Sequence, residues 1–276
     1  MDDRSVSLAV VRDLVAREPR ADPDAVHEPD EEAAGPLPPR LRRLCRAAVR
    51  TLPADGATVS VLTDAGGLAL TASSGSVAPS LAALEFTLGE GPGVDAVDTR
   101  RPVLVPDLAN LPATRWPAFA PAAGALGVRA VFAFPLGIGA ALLGALNVHR
   151  RGPVALDPRA TGLALGFAHL AVETLLDGGT GDATDGGAAA DDPPDDILDG
   201  HYVVYQAQGM TMVDLGVPLA EALVRLRAKA FADGRSLHDV ARDVVDGRMR
   251  LEPDDVGPGR RPTAGTDDTT DDTRET

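Results

Sequence analysis

Between Asp177 and Asp196 the chain is built only of Asp, Gly, Ala, Thr and Pro. Such a run has nothing with which to bury a core, and its like charges repel one another. It reads as a flexible acidic linker over 177–196. It therefore divides the apolar-patterned sequence into a larger unit before it and a smaller one after it. The 276 residues accommodate two units at ~100–200 residues per domain.

The two ends share the linker's character. Residues 1–37 and 252–276 read as acidic, largely disordered tails, with Glu18–Pro38 rich in Pro, Asp and Glu. Within the first tail, 4–17 has the apolar spacing of a short helix. The formal net charge is −15, but it is segregated. It runs roughly −6 over 1–35, +3 over 36–176, −8 over 177–199, +1 over 200–251 and −5 over 252–276. An acidic total thus leaves nucleic acid open as a partner. It excludes a protein that coats nucleic acid indiscriminately, because acidic tails repel phosphates.

Cys45 is the single cysteine, so neither an intramolecular disulfide nor a thiolate metal site can form. No apolar run approaches the ~18 residues of a membrane span. The start, MDDRSVSLAVVRD, places acids before a very short apolar run, the reverse of a signal peptide. The expectation is a cytoplasmic protein with no membrane partner.

Over 38–176 the pattern is helix, hairpin, helix, strand, hairpin, helix. Leu41, Leu44, Cys45, Ala48, Val49 and Leu52 recur at helical spacing. Ala57–Thr63 and Leu68–Ala72 alternate as strands around a Gly-Gly turn, and Leu81–Leu84 forms a short helix. Arg101–Val105 is a strand, Arg129–Leu136 and Leu142–His149 are two apolar strands, and Pro158–Leu176 is a long amphipathic helix. This is an α+β fold, an antiparallel sheet with flanking helices. Gly89-Glu90-Gly91-Pro92-Gly93 lacks the Gly-Lys-Ser/Thr ending of a phosphate loop, and its acid would repel phosphate, so it reads as a structural turn.

On TLGEGPGVDAVDTRRPVLVPDL and WPAFAPAAGALGVRAVFAFPL, the block 38–176 resembles a GAF domain of the actinobacterial type, a sensor fold related to PAS. The resemblance implies an unidentified small-molecule or protein signal, with loop 106–127 and strands 129–148 lining its pocket. Bilin attachment or the sulfoxide reductase activity found in that family would need cysteines in the later loops. Gly93 stands where close relatives often carry Cys. His149 and His169 stand singly, without a haem motif. No catalytic residue, metal or cofactor is expected.

The second block, 197–251, has three short amphipathic helices. Helix one carries Val203, Ala207 and Met210 and stops at Gly216. Helix two, with Pro218 at its first position, places Leu219, Ala222, Leu223, Leu226 and Ala230 on one face. Arg225 and Lys229, the only lysine, lie on one flank; Arg227 lies on the other, beside Val224 and Phe231. Helix three opens with Ser236 and Asp239 at capping-box spacing, and Leu237, Val240, Ala241, Val244 and Val245 face inward.

Ala207-Gln208-Gly209-Met210, then Ala222, Leu226-Arg227 and Ala230-Phe231, then Leu237, Val240, Ala241 and Val245 resemble an ANTAR domain. Pro218 departs from the family's Ser or Thr cap, and Gln208 from its frequent Lys or Thr. The resemblance implies an all-α three-helix module of a transcription antitermination regulator, usually a homodimer, binding stem-loop RNA in nascent transcripts. The residues expected to contact RNA are Gln206, Ala207, Gln208, Gly209, Arg225, Arg227, Lys229, Arg235, His238 and Arg242. The cations would meet phosphates, while Gln206, Gln208 and His238 would read unstacked loop bases. Arg227, bordering the apolar face, is the strongest single choice. The rival readings are a helix-turn-helix DNA-binding regulator, since helices two and three are joined by a short turn, and an adaptor whose helices only dimerise.

Overall fold

The computed structural model describes residues 3–19, 37–63, 67–179 and 195–251. The expectations of disorder for 20–36, for most of the linker and for 252–276 concern residues outside those described.

Five strands build one sheet: β1 (Gly56–Leu62), β2 (Leu68–Ser74), β3 (Val103–Val105), β4 (Ala130–Ile138) and β5 (Ala141–Arg150). Their order is β2-β1-β5-β4-β3, and every neighbouring pair is antiparallel. Side chains alternate between faces with period two. On β4, Ala130, Phe132, Phe134 and Leu136 enter one core, whereas Val131 and Ala133 enter another. Helices cover both faces. The first core is closed by α1 (Asp3–Arg17), α2 (Leu37–Thr51) and α6 (Pro158–Gly179). The second is closed by α3 (Ala78–Leu88), α4 (Pro92–Thr99) and α5 (Phe119–Ala125).

Two elements differ from the sequence reading. The N-terminal segment is not all tail: Val11 of α1 is fully buried, and Arg12 Nη2 donates to both oxygens of Glu173 at 2.7 and 2.8 Å. Helix α3 runs well beyond the expected Leu81–Leu84, because Glu85 does not interrupt it. That carboxylate turns inward and finds partners there.

The C-terminal unit packs α7 (Asp195–Leu215), α8 (Leu219–Ala232) and α9 (Leu237–Val245) around Val204, Ala207, Leu223, Leu226, Leu237, Val240 and Val244. Pro218 is the residue before α8, in extended conformation, one position earlier than expected. The Ser236 cap forms: its Oγ accepts from the Asp239 N–H at 3.0 Å and donates to the Asp239 carboxylate at 2.7 Å. One member of this core comes from elsewhere. Phe86 of α3, 1% exposed, packs among the C-terminal helices rather than in the sheet domain.

Candidate functional site

The cations expected on the helical unit are distributed over its surface, and acids of the same unit answer most of them. Arg225 pairs with Glu221 at 2.7 Å, Lys229 with Asp233 at 3.2 Å, and Arg235 with Asp243 at 2.6 Å. Asp243 also holds Arg248 at 2.8 Å; these guanidiniums keep its carboxyl below the usual carboxylate range. Arg242 instead meets the His238 ring, Nη2 to Nε2 at 2.8 Å. Partly exposed pairs of this kind near the surface are worth about 1 kcal/mol or less.

Arg227 is placed differently. Its Nε donates to the backbone carbonyl of Phe86 at 3.1 Å, and its Nη2 donates to the same oxygen. Its guanidinium carbon stands 5.7 Å from the centre of the Phe86 ring. Burial pushes its pKa down to about 10, which leaves it charged at neutral pH. The residue singled out from sequence as the leading RNA contact therefore faces the sheet domain.

The small residues of α7 also divide. Gln206 is exposed and Gly209 half-buried with open space beyond it, but Ala207 and Gln208 are fully buried. Gln208 Nε2 donates to the Leu219 carbonyl at 2.7 Å, tying α7 to the start of α8. In this arrangement Ala207 and Gln208 build the unit and do not present themselves to a partner. The physical reason is packing: the alanine lets the helices close, and the amide bonds a carbonyl in the first turn of α8.

The sheet domain contains a group that the sequence reading passed over. Glu85, 3% exposed, accepts from the Gly93 N–H at 2.5 Å and from Asn147 Nδ2 at 2.6 Å. Desolvation raises its pKa to about 7, against the pull of those hydrogen bonds. Nearby, burial pushes His149 down to about 4. With Thr58, Phe119 and Val131 these residues line a cavity of about 20 Å³, room for about one water. Thr58 Oγ1 and Asn147 Oδ1 lack a protein partner, as a water site would leave them. This inner cavity is small. The loop 106–127 instead forms an open groove of about 310 Å³ on the outside, lined by Leu111, Trp116, Ala120 and Arg129 among others. The only sequence signal for Glu85 was a lone acid within the apolar run of α3.

The Gly89–Gly93 turn is structural. Gly89 and Gly91 have φ of 67° and 143°, and Glu90 accepts from the Ala118 and Phe119 N–H groups at 2.7 Å each, holding the start of α5. Cys45 is buried, and desolvation pushes its thiol up to about 12, so it offers no thiolate. Among the described residues no group of three or more His, Cys, Asp or Glu is arranged for a metal, and no helix is long and apolar enough to cross a membrane.

Residues 40–175 match the GAF domain family and residues 196–245 the ANTAR domain family. The chain carries these two domains in that order. No curated protein matches it significantly. Solved structures similar to it include the GAF domain of a phosphoenolpyruvate-protein phosphotransferase from Coxiella burnetii, at 17% identity over 63% of this chain and 94% of that one, TM-score 0.44. The GAF domain of an Acinetobacter phosphoenolpyruvate-protein phosphotransferase is 12% identical over 64% of this chain and 95% of that one, TM-score 0.45. The free methionine-R-sulfoxide reductase from Neisseria meningitidis, in complex with its substrate, is 14% identical over 66% and 95%, TM-score 0.43. These likenesses carry nothing about activity.

Proposed function

We propose that this GAF domain followed by an ANTAR domain is a transcription antitermination regulator of actinobacterial type. Its C-terminal helices bind stem-loop RNA in nascent transcripts, and its GAF domain controls them in response to a small-molecule or protein signal. The observation that carries the reading is the ANTAR match over 196–245, which falls on a three-helix unit whose surface bears Arg225, Lys229, Arg235 and Arg242. Arg225, Lys229, Arg235 and Arg242 are the phosphate contacts of this reading, and Gln206 and His238 its base readers. The working form is a cytoplasmic homodimer, for which Val213, Val224 and Phe231 supply exposed apolar surface. The GAF domain is read as non-catalytic, because its one cysteine is buried and Gly93 offers no side chain beside Glu85.

A mobility shift with the full chain tests this. Stem-loop RNA should be retarded, with log affinity falling by roughly 0.7 per phosphate contact per log unit of salt, and loss of 200–251 should abolish the shift. Preference for duplex DNA with two half-sites would replace this reading with the helix-turn-helix one, and no salt-dependent binding to either would leave the dimerising adaptor.

A further inference from the structure

The contact between the two domains is built from an unusual pair of adjacent residues. Glu85 and Phe86 stand next to each other on the last turns of α3, so their side chains point about 100° apart around the helix. Glu85 enters the GAF interior, where it holds Gly93 and Asn147. Phe86 enters the core of the C-terminal helices, where Tyr205 of α7 meets its ring edge-on at 5.7 Å. The Phe86 carbonyl belongs to the last turn of α3, where the helix's own bonding leaves oxygens without a partner. Arg227 supplies the missing donors, and a cation at a helix C-terminus is favoured by the helix dipole.

At two positions where α8 approaches closely the GAF side carries glycine. A Cβ at Gly89 would lie 2.9 Å from Arg227 Nη1, and one at Gly67 would lie 3.1 Å from the Phe86 ring and 3.6 Å from Leu223 Cδ2. Surface and anchor are therefore shaped to each other. Yet the contact buries a guanidinium against a carbonyl and a ring, with no carboxylate among its described partners. A charge desolvated in this way is held less tightly than an apolar group of the same volume, so water or a phosphate competes for it.

We propose that Phe86 and Arg227 form an intramolecular latch, docking the ANTAR helices on the last turn of α3 and withholding Arg227 and its flank of α8 from RNA until the sensor lets go. The proposal rests on the RNA-binding reading given above. Glu85 couples the two sides: a change in what it holds inside the GAF domain moves the turn of α3 that carries the Phe86 carbonyl. The latched form is the low-affinity form, and apparent affinity scales with the fraction of molecules unlatched.

The test uses the full chain and a stem-loop RNA that the wild type binds. Phe86→Ala should tighten binding by about tenfold and steepen the log–log salt dependence by roughly 0.7, the signature of one added phosphate contact. Adding Arg227→Gln should remove the extra slope. Phe86→Leu keeps most of the buried volume and the fold while losing the ring contacts with Tyr205 and Arg227; it should show a smaller gain of the same sign. Amide hydrogen exchange over 219–232 should speed up in both variants. If exchange rises while affinity and salt slope stay at wild-type values, the latch is overturned and RNA binding stands. If affinity rises with no change in exchange or slope, the latch is likewise overturned. If neither wild type nor variant binds any stem-loop, the RNA reading falls, and the latch with it.

Discussion

Glu85 in the GAF domain and Arg227 in the ANTAR domain are both charges taken out of water, but their surroundings differ in kind. The GAF domain encloses its carboxylate between α3, the start of α4 and β5, with a backbone N–H and an amide aimed at it. The guanidinium sits at a boundary between two packed bodies, on a carbonyl of the other one. A charge fixed from several elements of one core stiffens that core. One shared across a domain boundary can be surrendered without unfolding either side. Burial alone does not mark a residue as structural; what matters is how many cooperative units hold it.

The largest expected effect comes from titrating the enclosed charge. Glu85 has a folded pKa near 7 against an ordinary value of 4.5, so the folded state binds the extra proton and stability falls as pH rises through that window. His149, pushed down to about 4 from 6.5, acts oppositely: its contribution is present above pH 6.5 and is lost as pH falls toward 4. Glu85→Gln removes the first effect and keeps the second. The stability of this variant relative to wild type should therefore climb by on the order of 3 kcal/mol between pH 4.5 and 7, read from urea melts at each pH. A constant difference across that range would show that Glu85 is not the enclosed charge described here.

Next in size is Gly93→Ala. Its Cβ would lie 2.7 Å from Asn147 Nδ2 and 2.8 Å from Glu85 Oε2, so it should destabilise the GAF domain by about 1–3 kcal/mol in thermal melts. On the ANTAR side, Ser236→Ala removes the cap of α9 and should cost about 1 kcal/mol, seen as faster exchange over 237–245 with the GAF strands unaffected. The smallest effect is expected at the boundary charge. Arg227→Met should change folding stability by less than about 1 kcal/mol in either direction, because the lost carbonyl contact is offset by a desolvation penalty no longer incurred. A loss comparable to that at Gly93 would break the distinction between an enclosed charge and a surrendered one.

Much of this was legible from residue order. The strands β4 and β5 follow from two short apolar runs, and the inward face of α8 from Ala222, Leu223, Leu226 and Ala230. The cap at Ser236 was visible in its spacing to Asp239. Glu85 was not legible as a buried group, because its partner Asn147 lies 62 residues away and nothing local announces it. For Gln208 and Ala207 the ANTAR resemblance implies RNA contact, although Ala207 also falls on the apolar side of its helix. Only the approach of α8 shows that they close the bundle.

Sequence by itself determined the long apolar strands of the sheet and the inward faces of the C-terminal helices, because periodicity, turn chemistry and capping are local properties. It also placed Arg227 at the edge of an apolar face. Which body covers that edge was decided by tertiary structure alone: Phe86 reaches it from 141 positions away, and contacts at that separation depend on how two cores pack, not on any spacing along the chain.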